Sequence, residues 1–176
     1  GATNVSAGTV IVNHTNALGS TAGTTTVTSG ATVRVTGGLT VGEAFSIAGT
    51  GKQVSSVDYG ALHLSSGSST LSGAVTLTAD ANVSAASGAT LTLSGALGGS
   101  AVLDKTDAGT LTLSNADNST MSGGIQISAG TLSVASDGNL STGTLMLNGG
   151  TLDVTGATTI DNAINLAASS TINAGA

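Results

Sequence analysis

A five-residue cassette, Gly-Thr-Leu-x-Leu with close variants, recurs from one end of the chain to the other. It first reads Gly8-Thr9-Val10-Ile11-Val12. It returns as Gly109-Thr110-Leu111-Thr112-Leu113, Gly130-Thr131-Leu132-Ser133-Val134, Gly143-Thr144-Leu145-Met146-Leu147 and Gly150-Thr151-Leu152-Asp153-Val154. With an alanine inserted it becomes Gly30-Ala31-Thr32-Val33-Arg34-Val35 and Gly88-Ala89-Thr90-Leu91-Thr92-Leu93. Glycine ends the preceding element, and alternating polar and branched apolar residues mark a strand buried on one side. A strand signal repeated this often restricts the chain to a repeat architecture.

The spacing supplies the geometry. Gly88, Gly109, Gly130 and Gly150 are 21, 21 and 20 residues apart (109−88, 130−109, 150−130), and Gly8, Gly30 and Gly51 are 22 and 21 apart. A repeat of about 20–22 residues holding two or three short strands predicts one coil of a β-solenoid, so the expected class is all-β. Stacked coils place Leu91, Leu111, Leu132 and Leu152 in one inward column and Leu93, Leu113, Val134 and Val154 in the next. Thr9, Thr32, Thr90, Thr110, Thr131 and Thr151 then form an outward threonine file. Around eight coils at about 4.8 Å each predict a rod roughly 40 Å long. One elongated domain over residues 1–176 is expected, with an irregular loop near 51–67 and a second loop at 114–124, rich in Asn, Asp, Ser and Gly.

Composition agrees with a narrow aliphatic interior. Only 1% of residues are aromatic and 7% charged, while mean hydropathy is +0.37, which opposes disorder. Net charge is −6 from nine scattered acids and three bases, so no nucleic-acid or anionic-lipid footprint exists. Cysteine is absent, which excludes disulfides and thiolate metal sites. No apolar run reaches the roughly 20 residues of a membrane span, so no membrane insertion by this segment is expected. The chain opens at Gly1 with neither a start Met nor a signal peptide, and reads as part of something longer.

From Leu103 to Val154 the sequence resembles the autotransporter-associated β-strand repeat of passenger regions in Gram-negative surface proteins. Leu103 with Lys105, Gly109-Thr110-Leu111-Thr112-Leu113-Ser114, Gly123-Gly124, Ala129-Gly130-Thr131-Leu132 and the run Gly143–Leu152 carry the likeness. The segment Val5–Val10 with Asn16-Ala17-Leu18-Gly19 looks like a partial second copy. Ser119-Thr120-Met121 departs from the family, which usually has an aromatic there. The resemblance implies a right-handed parallel β-helix, exported to the cell surface or secreted, building a stalk and aiding transport rather than catalysing a reaction.

Catalytic motifs are missing. His14 and His63 are the two histidines, and alternation in Leu62-His63-Leu64 points His63 outward to a solvated surface. Gly49-Thr50-Gly51-Lys52 lacks the first Gly and the final hydroxyl of a phosphate loop. No calcium-loop pattern occurs, and Asp104 with Asp107, or Asp117 beside Asn118, reads as a solvated turn. Sequons such as Asn4-Val5-Ser6 and Asn82-Val83-Ser84 arise by chance in so Ser/Thr-rich a chain. The expectation is therefore no enzyme, no cofactor, no metal, and a stalk or adhesive module whose ligand is unread. Two alternatives stay open. Uncapped ends predict end-to-end self-association into a fibre by strand addition. An ice-binding threonine face is the minor one, because the second file it needs reads Ile11, Arg34, Thr92, Thr112, Ser133, Asp153 and is broken by a bulky and a charged residue.

Overall fold

The computed structural model describes residues 1–54 and 57–175. Short strands, of two to six residues apart from the long Val75–Ala85, succeed one another around a three-sided coil, because each alternating run is followed by a glycine or a polar corner. The first side holds Thr3–Val5, Thr24–Val27, Ala44–Gly49, the start of Val75–Ala85, and Leu97–Gly98. The second holds Gly8–Val12, Ala31–Val35, Leu62–Leu64, the end of Val75–Ala85, Leu103–Thr106, Ile125–Ile127, Leu145–Leu147 and Ile164–Leu166. The third is a seven-stranded sheet running from Thr40–Val41 through Ser68–Leu71, Thr90–Leu93, Thr110–Leu113, Thr131–Val134 and Thr151–Val154 to Thr171–Ala174. Val75–Ala85 rounds a corner without a break, with a register shift between Leu77 and Ala81, and so joins the first two sides. The result is a β-solenoid of about eight turns.

Among the described residues every strand pairing between coils is parallel, and apart from the shift within Val75–Ala85 the pairings are in register. Leu111 lies against Leu132 and Leu132 against Leu152, and the same ladder carries Leu113, Val134 and Val154. These side chains, with Leu91 and Leu93, are buried. Burying a Leu or Val contributes about 1.5–3 kcal/mol, and each coil gains it only against its neighbours. Phe45, the sole Phe, is 1% exposed and lies in the first side's ladder between Thr25 and Val75. Among the described residues no helix is long and apolar enough to cross a membrane.

Four features differ from the sequence reading. The cassette is not the signature of one side: Gly8–Val12, Ala31–Val35 and Leu145–Leu147 belong to the second, the other copies to the third. Alternation fixes which residues point inward but does not say which side a strand occupies. The departure near 51–67 is shorter than expected, because Leu62 and Leu64 fill inward columns under Val33 and Val35. What leaves the rod is a hairpin, closed at its base by a bridge between Gly51 and Gly60 and pairing Gln53–Val54 antiparallel with Val57–Asp58. Ser55 and Ser56, within the expected loop, lie outside the described residues. Residues 114–124 do not project either; Asn118 and Met121 are buried and tie the segment to the coil.

The two ends also differ. Residues 13–23 turn across the first coil, where Leu18 is buried and its carbonyl accepts a hydrogen bond from the Thr3 hydroxyl. Val5 and Val12 are consequently covered. In the last coil Ile164, Leu166 and Ile172 are 42%, 64% and 46% exposed.

Candidate functional site

Parallel stacking gathers the outward residues into files, and the third side shows them best. One file runs Ser68, Thr90, Thr110, Thr131, Thr151, Thr171. The file two residues along each strand runs Thr40, Thr70, Thr92, Thr112, Ser133, Asp153. The expected single threonine file is thus corrected. Thr9 and Thr32 pair with each other on the second side, as do Ile11 and Arg34. Thr32 does not face water at all; it is 1% exposed, because the hairpin lies over it.

The hairpin is fastened to the second side by polar contacts. The Thr32 hydroxyl donates to the Gly60 carbonyl at 2.8 Å and accepts from the Lys52 amide at 2.8 Å. The Ser84 hydroxyl donates to the Tyr59 carbonyl at 2.5 Å. A hydroxyl has one proton, so His63 Nδ1, 2.7 Å from Ser84 Oγ, is the donor in that pair. Ser84 therefore has no base to activate it, and the pair is a clasp rather than a nucleophile. Tyr59 meets the His63 ring edge-on at 4.8 Å. His63, expected in solvent, is 3% exposed; burial holds its pKa below the ordinary value, opposed by Asp107 and reinforced by Arg34. The outward direction read from alternation is right, but the hairpin covers it. Arg34 Nε is buried there with no hydrogen-bond partner among the described residues. His14, by contrast, sits in an exposed turn and accepts from the Asn16 amide.

Further along the second side, Lys105 occupies an inward position between Val83 and Ile127. It is fully buried, yet its Nζ reaches the corner and donates to the carbonyls of Thr106, Asp107 and Ala129 at 2.8, 2.7 and 3.0 Å. Burial lowers its pKa from 10.5 to about 8, with Asp107 and Asp104 opposing. Asp107 adopts φ 65°, the left-handed turn that aims its carbonyl at the ammonium. Asp104 is half-buried and accepts from Ser128 Oγ and Gln126 Nε2; burial raises its pKa against those bonds and Lys105.

Buried asparagines organise the corner between the third and first sides. Asn118 receives the Leu97 amide and donates to the Asn139 carbonyl, while Asn139 receives the amides of Ala135 and Ser136 and donates to the Asn115 carbonyl. Asn162 donates to the carbonyls of Ser141 and Gly143. Beside them a cleft of about 270 Å³ is lined by Asp117, Asp137 and Asp161 among others. Two of these carboxylates are occupied by backbone amides, Asp117 by Ser119 and Asp137 by Asp161. Among the described residues no group of three or more His, Cys, Asp or Glu is placed to hold a metal.

Residues 103–134 match the passenger-associated-transport-repeat family model. This stretch is similar to the passenger repeat of autotransporters. It begins at Leu103, just before the Lys105 corner, crosses the Asn118 turn, and ends at Val134 on the next coil. Met121, before the double glycine, is fully buried in the core. Gly123 is required where the coil turns, since a Cβ there would run into the Ala101 carbonyl. No curated protein and no solved structure matches the chain. Solenoid and repeat together fit a structural module of an autotransporter passenger.

The residues that sequence reasoning missed are Lys105 as a buried anchor, the asparagines of the corner, and the clasp under the hairpin. Lys105 had a signal, since it lies two residues from Leu103 in an alternating run. Nothing local marks Thr32 or Ser84 for the clasp, because the hairpin that covers them lies 20 or more residues away along the chain.

Proposed function

We propose that the chain is a rigid spacer within a surface-displayed or secreted passenger, with no catalysis, cofactor or metal of its own. The observation that carries this reading is the passenger repeat lying in register within an unbroken parallel ladder. Such a ladder resists bending and pulling because each coil is held by the backbone bonds of its neighbours on both sides. Adhesive contact, on this reading, belongs to the hairpin based at Gly51 and Gly60, which leaves the ladder among the described residues and carries Lys52 and Tyr59. Neither anionic surfaces nor nucleic acid suit a chain of net charge −6.

Small-angle scattering of the purified chain tests the spacer. A rod about 40 Å long is expected at about 4.8 Å per coil. A chelator should leave the melting temperature unchanged, because a metal bound only to the folded state would raise it. A drop of several degrees, or hydrolase activity on peptide, ester or glycoside panels, would overturn the non-catalytic, metal-free assignment.

A second reading, end-to-end association, is favoured by the exposed Ile164, Leu166 and Ile172 of the last coil. Its test belongs to the whole molecule and is argued below.

A further inference from the structure

Threonines in this molecule fall into two populations. Those at corners, such as Thr28, Thr36, Thr78, Thr120, Thr142 and Thr155, donate to a backbone carbonyl of a neighbouring coil. Those on the third side do not. The hydroxyls of Thr70, Thr90, Thr92, Thr110, Thr112 and Thr131 make no hydrogen bond to the described protein. All are half-exposed, and all stand in parallel register.

Their arrangement is a two-dimensional lattice. Along the rod the spacing is about 4.8 Å, and across each strand, two residues apart, about 6.6 Å. From Ser68–Leu71 to Thr131–Val134, four consecutive coils contribute two hydroxyls each, and only the one at the edge, Ser133, is engaged, donating to Asp153 at 3.4 Å. The objection raised by the sequence no longer applies, because Ile11 and Arg34 belong to the second side. The first charge on the true second file is Asp153, one coil beyond the lattice.

We propose that this face binds ice. A ligand for it must be uncharged, flat and itself periodic, since the lattice carries no charge, no cleft and no aromatic side chain. Protein partners select aromatic anchors and a desolvated core, and small ligands select concave sites. Neither is offered here. A water lattice is hydrogen-bonded by each hydroxyl and ordered beside each methyl. The ladder holds those groups rigid, so little ordering cost remains to be met on binding. This inference stands independently of the passenger reading.

The test is ice recrystallisation and single-crystal habit with the purified 176-residue chain. Slowed recrystallisation and faceted crystals are expected. Thr92→Lys and Thr110→Lys, at the centre of the lattice, should lose both effects with unchanged melting. Thr9→Lys, exposed on the second side, should keep them. If either lysine variant melts early, Thr110→Ser serves instead: it keeps the hydroxyl, removes the methyl, and should weaken the effect. Unaltered ice growth with the parent chain would overturn the proposal. So would activity that survives Thr110→Lys in a folded protein, activity lost equally in Thr9→Lys, or retention on an insoluble polysaccharide without any effect on ice.

Discussion

Thr131 and Leu132 are adjacent in sequence and opposite in surroundings: the first half-exposed on the outer lattice, the second fully buried in the ladder. Leu132→Asp puts an unpaired carboxylate between Leu111 and Leu152 and should cost several kcal/mol, whereas Thr131→Asp should cost about 0.5 kcal/mol or less. Denaturant melts of the two variants check this, and equal losses would reverse the inward and outward assignment. Lys105 is the exception within the same ladder. Its folded pKa of about 8 lies below the 10.5 of the free side chain, so between those values the unfolded chain holds more protons. Stability should therefore rise with pH across that window and flatten outside it. Lys105→Met should remove the slope, and should also lose stability at neutral pH, because the carbonyls of Thr106, Asp107 and Ala129 are left without their donor. A parallel pH slope in the Met variant would assign the titration to another group. At this scale alternation was a sufficient guide for Leu91 through Val154. Applied strictly it also places Lys105 inside, against the habit of putting every charge in water.

Elements were less legible than residues. The period of about 21 residues is visible in the glycines, but the assignment of strands to sides is not, since a GTLxL run suits any outward-polar, inward-apolar side. Residues 114–124 have a loop's composition, yet Asn118 satisfies backbone groups that the coil would otherwise leave bare. Among the described residues the hairpin is the excursion from the ladder, and trypsin should act there first. Of the three basic residues, Lys52 alone is exposed; Arg34 is half-buried within a strand and Lys105 is buried. Limited digestion should therefore nick the chain after Lys52 first while the circular-dichroism spectrum persists, and early cleavage at Arg34 would contradict the ladder there. The clasp also responds to acid. Because burial holds His63 below its ordinary pKa of 6.5, the unfolded or undocked form takes up a proton first, so stability of the docked hairpin falls as pH drops below about 6.5. Tyr59 is the only Tyr in a chain without Trp, so its fluorescence reports the event. A pH-dependent change should appear in the parent chain and vanish in His63→Phe. A change that persists in that variant would exonerate the histidine.

On the scale of the whole rod, the two ends call for separate treatment. Sequence reasoning treats them alike, since Gly1-Ala2-Thr3 and Ala174-Gly175-Ala176 are equally bland. The fold separates them: residues 13–23 cover the first coil's interior, and three of the four exposed large aliphatic side chains lie on the last coil. The exposed Ile164, Leu166 and Ile172 lie beside the outer edges of Ile164–Leu166 and Thr171–Ala174, so apolar surface and strand edge form one face. Self-association of this chain should therefore run through the last coil. The first coil is a poor acceptor, so pairs are expected before long fibres. The backbone tells which substitution separates the edge from the ladder. The amides of Thr171 and Gly175 already bond the coil beneath, to Gly150 and Val154, so the alternate amide of Ile172 faces the free edge. Ile172→Pro removes that outward donor and leaves the inner ladder bonded. Sedimentation over a concentration series should show association in the parent chain and its loss in Ile172→Pro, with the circular-dichroism spectrum nearly unchanged. If association persists in Ile172→Pro and is abolished by Thr110→Lys, the copies meet side by side across the threonine lattice, and the open coil is not their contact.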